Sequence, residues 1–380
     1  MIGHRQIGTA SPGVESFGNP FRRMPGLVLF LFFVSGCTTS LNQPGDGGSG
    51  GNGRTYRMGF SGYPPRFDIN LALSAINMWS QRADAAIMSY EPPWDSLLAG
   101  TAPESLVVHD ELSLARLYRA KGLALWLYLD PENGLNRTSE SDALIRHGRS
   151  ITEPGIQQLY RRYCYVADSI LRPDHLGLAL ETNLIRGAAP DSVYRAIRTV
   201  VNDAAADIRG RDSAVLLSVS VQVDYAWGRL TDSVYRGVET DFGDFPFIQE
   251  LGLSSYPYLA GFTQPEDIPS DYYRRLLNGR KMPVMVTEGG WTSVSLGAIQ
   301  SSPDKQKRYL TRQMTLLDTA SATAVFQLTF TDIDLTANPP PPGSIIGLFA
   351  YLGLVDVNLQ PKPALAVWDR TFLRPRLRGQ

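Results

Sequence analysis

Two glutamates stand where an apolar run ends. Glu181 closes LGLALE, and Glu288 closes VMVTE just before Gly289, Gly290 and Trp291. A carboxylate at the end of a buried run is costly unless it is paired or used. Brought together, two such groups can do acid–base and displacement chemistry: a protonated carboxyl donates to a leaving group while a charged one attacks or activates a nucleophile. A salt bridge would explain either glutamate singly; their occurrence at the ends of two separate runs favours chemistry. Other apolar runs also end in polar and aromatic residues. Tyr90 follows one, Asp130 another, Asn183 lies just past Glu181, and Trp227, Tyr256, Tyr258 and Trp291 complete the set.

These residues need a scaffold that brings strand ends to one place. Short apolar runs alternate with longer amphipathic stretches, the pattern of a parallel α/β fold. Strands are expected at 56–61, 85–89, 124–129, 176–181, 214–221, 251–255, 284–288 and 323–329. Helices are expected at 69–82, 110–121, 155–171, 191–208, 247–251, 270–277, 303–320 and 364–372. Ser302 as N-cap and Pro303 at the first helical position mark the start of the seventh. Eight strand–helix units predict a single (β/α)8 TIM barrel, whose chemistry lies at the C-terminal ends of its strands. A doubly wound sheet would want a GxGxxG turn after the first strand, which Gly59-Phe60-Ser61-Gly62 does not supply.

The start of the chain has a different logic. Arg22 and Arg23 precede a short apolar run at 27–34 (LVLFLFFV), and Val34-Ser35-Gly36-Cys37 reads as a lipobox. The run is too short to span a bilayer as a helix, and the order is that of an export signal. Residues 1–37 are therefore expected to be a lipoprotein signal ending at a lipidated Cys37, and 38–53 a flexible Gly/Ser-rich linker. The globular domain is expected over 54–380. A bacterial cell-envelope location on a lipid anchor follows, in the outer membrane if the cell is Gram-negative. The formal net charge of -1 lacks the basic footprint of a nucleic-acid binder. Two cysteines and four histidines, with no metal-ligand spacing, predict neither metal nor cofactor. A monomer is expected.

The segment VMVTEGGW resembles the nucleophile strand of the clan A glycoside hydrolases, the 4/7 superfamily. GLSSYPYL is similar to the sixth-strand segment of the family 53 endo-β-1,4-galactanases and their relatives, and GLVDVNLQPKPALAVW resembles the end of many clan A enzymes. The resemblance implies a retaining glycosidase acting on a β-linked polysaccharide or oligosaccharide, with Glu181 as acid/base and Glu288 as nucleophile. Tyr256 would hydrogen-bond to Glu288. Asn183, Asp130, Tyr258, Trp227, Trp291 and Tyr90 would contact sugar. The chain departs from the clan pattern at Leu180, where Asn usually precedes the acid/base, and at strand eight, where Gln327 and Phe330 stand in place of a platform Trp. Those departures leave a second expectation: a non-catalytic glycan-binding surface lipoprotein on a degenerate barrel.

Overall fold

The computed structural model describes residues 53–337, 339–340 and 344–377; the expected signal, lipidated Cys37 and nearly all of the linker lie outside them. Eight parallel strands close into a barrel in chain order. They are β1 (Arg57–Ser61), β2 (Ala85–Tyr90), β3 (Ala124–Leu129), β4 (His175–Gly177), β5 (Leu216–Gln222), β6 (Glu250–Ser255), β7 (Val284–Gly289) and β8 (Ala324–Gln327). No described helix is long and apolar enough to cross a membrane.

The strands alternate inward and outward residues. Inward, Ala85, Ile87, Trp126, Tyr128, Leu180, Met285, Ala324 and Phe326 form one buried cluster that fills the barrel. Tyr128 takes so much of this space that a Cβ at Gly177 would lie 2.1 Å from its ring, which is why β4 carries glycine there. At the opposite end from the strand termini, Trp126 stacks on His175 at 3.7 Å, and His175 Nδ1 lies 2.7 Å from Glu250 Oε1. The outward residues join the helix faces in a second, larger core.

The outer layer includes α1 (Ile69–Trp79), α2 (Leu112–Ala120), α3 (Pro154–Leu171), α4 (Thr182–Ala188), α5 (Asp191–Arg209), α6 (Glu239–Asp244), α7 (Pro303–Ala320) and α8 (Leu365–Phe372). α7 starts as its sequence predicts: the Ser302 hydroxyl accepts from Lys305 N at 3.2 Å with Pro303 in the first turn. α3 and α5 bury their apolar stripes, with Tyr160, Cys164 and Leu171 on one and Ile197, Val201 and Ile208 on the other.

Two expected helices are absent. Residues 247–251 run into β6, whose first residue Glu250 is drawn inward by His175; the helix of that unit is α6, ended before Pro246. Residues 270–277 form turns and a short 3-10 segment (Arg274–Leu277). Tyr272 is bonded to Asp224 and Tyr273 to Ser255, contacts with the loop after β5 and the end of β6 that hold this segment in turns. At the foot of the barrel, Arg54 N donates to Pro375 O at 2.9 Å, so the start of the described chain is bonded to its end just before β1 begins.

Candidate active site

β4 ends three residues earlier than the apolar run suggests, and this positions Glu181. Beyond Gly177 the chain stays beside β5 through Leu178 N to Ser218 O at 3.1 Å and Ser220 N to Ala179 O at 3.0 Å. The Glu181 N–H then leaves the backbone ladder and donates to Ser220 Oγ at 3.0 Å. Glu181 adopts the left-handed region (φ 49, ψ 43) and begins α4. It is a turn residue, and the alternation expected of a strand does not extend to its neighbours. Leu180 therefore points into the barrel-filling cluster. At that position the clan usually carries an amide, and here the space is packed with hydrocarbon.

Glu288 lies within β7, half-buried, and an extra residue in β7, Thr287, shifts the register after Leu253 and brings Ser254 opposite Glu288. A bulge of this kind re-aims a side chain next to a site. Ser254 Oγ donates to Glu181 Oε1 at 2.7 Å, and Ser254 is the residue of β6 paired with Glu288. The other oxygen of Glu181 accepts from Arg137 Nε at 2.9 Å. Arg137, buried in the loop after β3, also donates from Nη1 to Asp130 Oδ2 at 2.6 Å.

Burial pushes the Glu288 carboxyl up to about 7, and the negative charge of Glu181 adds to this. Burial opposes the charge on Arg137, but Asp130 and Glu181 on either side outweigh it and raise its pKa. Asp130 is raised by burial, with Arg137 pulling the other way. Nearby, burial lifts Glu91 to about 7 although Ser141 donates to it at 2.8 Å. Burial also lifts Glu132, fully enclosed beside Asp130 and Glu140, well above the carboxylate range. The mouth thus holds Glu91, Asp130, Glu132, Glu181 and Glu288 around one guanidinium.

The remaining expected contacts are placed differently. Asn183 lies on α4, and its amide is bonded to the Gln222 backbone, donating at 2.9 Å and accepting at 2.7 Å. Both ends of the amide are thereby committed to the end of β5, where contact with sugar was expected. Tyr256 stands near the pair, its phenol raised well above 10 by burial and then by Glu288 and Glu181. The four expected aromatic platforms are packing residues. Trp291 is 1% exposed, and its Nε1 donates to Ser301 Oγ at 3.0 Å. Tyr258 is enclosed and donates to Leu348 O at 2.8 Å. Tyr90 is buried beside Tyr163 and Cys164. Trp227 has Tyr272 stacked on it at 5.1 Å and the Arg275 guanidinium 4.9 Å from its ring. Asp130 is enclosed by Arg137 and positions it. Asp224 accepts from Tyr256 N at 3.1 Å, from Gln222 and from Tyr272, so it shapes the loop after β6.

Sequence reasoning missed Arg137, Ser220 and Ser254. Ser254 sits inside the GLSSYPYL segment, where the tyrosine draws the eye; Arg137 is one charged residue in a polar loop, with no local pattern to mark it. Among the described residues no group of three or more His, Cys, Asp or Glu is arranged to hold a metal ion.

No protein-family model matches the chain, and no curated protein matches it. Solved structures do. An exo-β-1,4-mannosidase from Opitutaceae bacterium strain TAV5 aligns with a TM-score of 0.60 at 16% identity, over 84% of this chain and 59% of that one. The Ignisphaera aggregans GH53 catalytic domain aligns with a TM-score of 0.52 at 15% identity, over 70% of this chain and 78% of that one. A β-glucuronidase from an uncultured Clostridium sp. aligns with a TM-score of 0.54 at 16% identity over 83% of this chain, which spans 50% of that protein's length. At such identities the likeness is one of fold: the chain is a (β/α)8 barrel.

Proposed function

We propose that the chain is a glycoside hydrolase acting on a β-linked polysaccharide or oligosaccharide, with Glu181 and Glu288 as its carboxyl pair. The observation that carries this reading is the placement of the two carboxyls: Glu181, just after β4, is bonded to Ser254, and Ser254 is paired with Glu288 in β7. Retaining enzymes hold their carboxyls roughly 5–5.5 Å apart and inverting ones further, and the retaining scheme is the one proposed. In the retaining scheme Glu181 protonates the leaving oxygen while Glu288 attacks the anomeric carbon. Water then enters, with Glu181 as base. The pair needs one proton between its two members. Activity therefore falls as pH rises through about 7, where that proton is lost. The five carboxyls around the mouth favour a neutral sugar over an anionic one.

The test is an assay of purified protein and its Glu288→Gln variant on a panel of β-linked polysaccharides; full activity in the variant ends the assignment. Glu181→Ala should lose more on poor leaving groups than on activated aryl glycosides. A second reading, glycan binding without turnover, is favoured by the Arg137 contact that occupies Glu181 and by Leu180 filling the place of an amide. It predicts sugar binding by calorimetry with no hydrolysis in any member of the panel. Export on a lipidated Cys37 is part of the same proposal, since a cell-envelope location suits an enzyme whose substrate is a polymer.

A further inference from the structure

A formal net charge of -1 hides a separation of charge along the barrel axis. The mouth is crowded with carboxyls, and the opposite end is basic. Parallel strands bring every loop that leads into a strand to that end, the foot. Lys121 precedes β3, Arg172 precedes β4, Arg211 precedes β5 and Lys281 precedes β7; Arg57 opens β1, and Arg376 follows α8. We propose that the foot is a membrane-docking face whose partner is the phosphate-bearing headgroup layer of an anionic phospholipid bilayer. This goes beyond the glycosidase reading and does not depend on whether the carboxyl pair turns over a sugar.

The acids of the foot are engaged in holding the strand starts. Asp84 accepts from Arg54 Nη1 at 2.6 Å and from Met58 N at 3.1 Å. Asp174 accepts from Leu125 N at 2.8 Å, and Asp212 accepts from Ala214 N at 2.8 Å and Val215 N at 3.1 Å. Glu250 is turned inward to His175. The cations are less fully matched. Arg211 is taken by Asp168. Among the described residues, no carboxylate lies within ion-pair distance of Arg57, Lys121, Arg172, Lys281 or Arg376. Arg172, Lys281 and Arg376 are exposed. Burial holds Arg57 below its ordinary pKa, and the nearby charge of Arg376 adds to this, so two guanidiniums share one part of the face.

Charge alone would suit any polyanion, and the apolar residues of the face choose among them. Leu373 is 80% exposed and Leu377 49%, on the same short segment as Arg376. Side chains this exposed reach hydrocarbon just beneath a headgroup layer, and a nucleic-acid backbone offers them none. Arginine suits the same boundary, with its guanidinium on phosphate and its stem on apolar surface. The chain before Gly53 joins the domain at this face, where Arg54 bridges to Arg376. That part of the sequence holds the apolar run 27–34 and Cys37, so the segment expected to reach a bilayer brings this face with it. Each basic residue close to an anionic leaflet raises affinity by about fivefold, an effect that fades within a Debye length.

The experiment is co-sedimentation of the full chain with vesicles of mixed phosphatidylglycerol and phosphatidylcholine, and with vesicles of phosphatidylcholine alone. Every protein carries Cys37→Ser, so no acyl chain contributes, and residues 1–52 are common to all arms. Replacing Arg172, Lys281 and Arg376 together with glutamine should weaken binding to the anionic vesicles by about tenfold or more, and high salt should abolish the difference. Replacing Arg195, Lys305 and Lys307 with glutamine removes the same charge from the first turns of α5 and α7, at the mouth end, and should leave binding as it was. Leu373→Ser with Leu377→Ser should weaken vesicle binding several-fold without changing binding to double-stranded DNA. Thermal melts check that each variant is folded. Equal losses in the foot and mouth-end variants, or no loss in the foot variant, overturn the docking face. Unchanged vesicle binding in the leucine variant, with DNA bound as tightly as vesicles, gives the face to nucleic acid and overturns the lipid assignment. None of these readouts involves turnover, so they stand apart from the outcome of the glycosidase screen.

Discussion

Replacing Glu288 with glutamine should stabilise the folded chain above neutral pH while leaving it nearly unchanged in acid. The carboxyl titrates at about 7 in the fold against 4.5 without it. Between those values the folded state binds more protons than the unfolded state, so stability falls as pH rises and levels off above about 7. At 1.36 kcal/mol per pH unit, the full effect is roughly 3 kcal/mol above pH 8 and under about 1 kcal/mol at pH 5. Glutamine keeps the shape without the charge, so the variant escapes this cost. Other raised carboxyls, such as Glu91 and Asp332, are common to both proteins and cancel in the difference. Urea unfolding of wild type and Glu288→Gln at about pH 5 and 8.5 reads the effect directly as a midpoint difference that widens with pH. Two parallel stability curves would refute the reasoning, since they would mean that Glu288 is not forced to ionise in a costly place.

Lys362→Met should cost about 3–5 kcal/mol, because it strands Asp332, which Lys362 Nζ reaches at 2.6 Å in a buried pair. Thermal melts should show that adding Asp332→Asn recovers most of the loss. Trp291→Ala should cost about 3–5 kcal/mol by opening a cavity, and calorimetry should find any sugar affinity changed no more than stability accounts for. Cys37→Ser should move the protein from the membrane fraction to the soluble fraction after cell lysis; retention in the membrane would dispose of the lipid anchor.

The barrel was legible because strands buried on both faces must be continuous apolar runs, and eight of them are present. Glu181 and Glu288 were legible because a charge at the end of such a run is conspicuous. The geometry of the site was less so. Whether Glu181 ended a strand or began a helix depended on Ser220 capturing its N–H, a contact between segments far apart in the chain. The same uncertainty misplaced Asn183. Aromatic side chains gave the weakest signal: Tyr90, Tyr258 and Trp291 follow strands just as sugar platforms do, and only the packed helix layer shows that they are enclosed. Helices 247–251 and 270–277 failed because local helix preference yielded to contacts across the fold, Glu250 with His175, Tyr272 with Asp224 and Tyr273 with Ser255.

The bond between Arg54 and Pro375 at the foot of the barrel has a directional consequence. Whatever precedes Gly53 joins the domain at the end where the strands begin, and the carboxyl pair lies where they finish. On the proposed lipid anchor, a leash fastened there would hold the barrel by its base. The opening would then face outward, and the length of the leash would set how far the barrel reaches without turning the opening back toward the point of attachment.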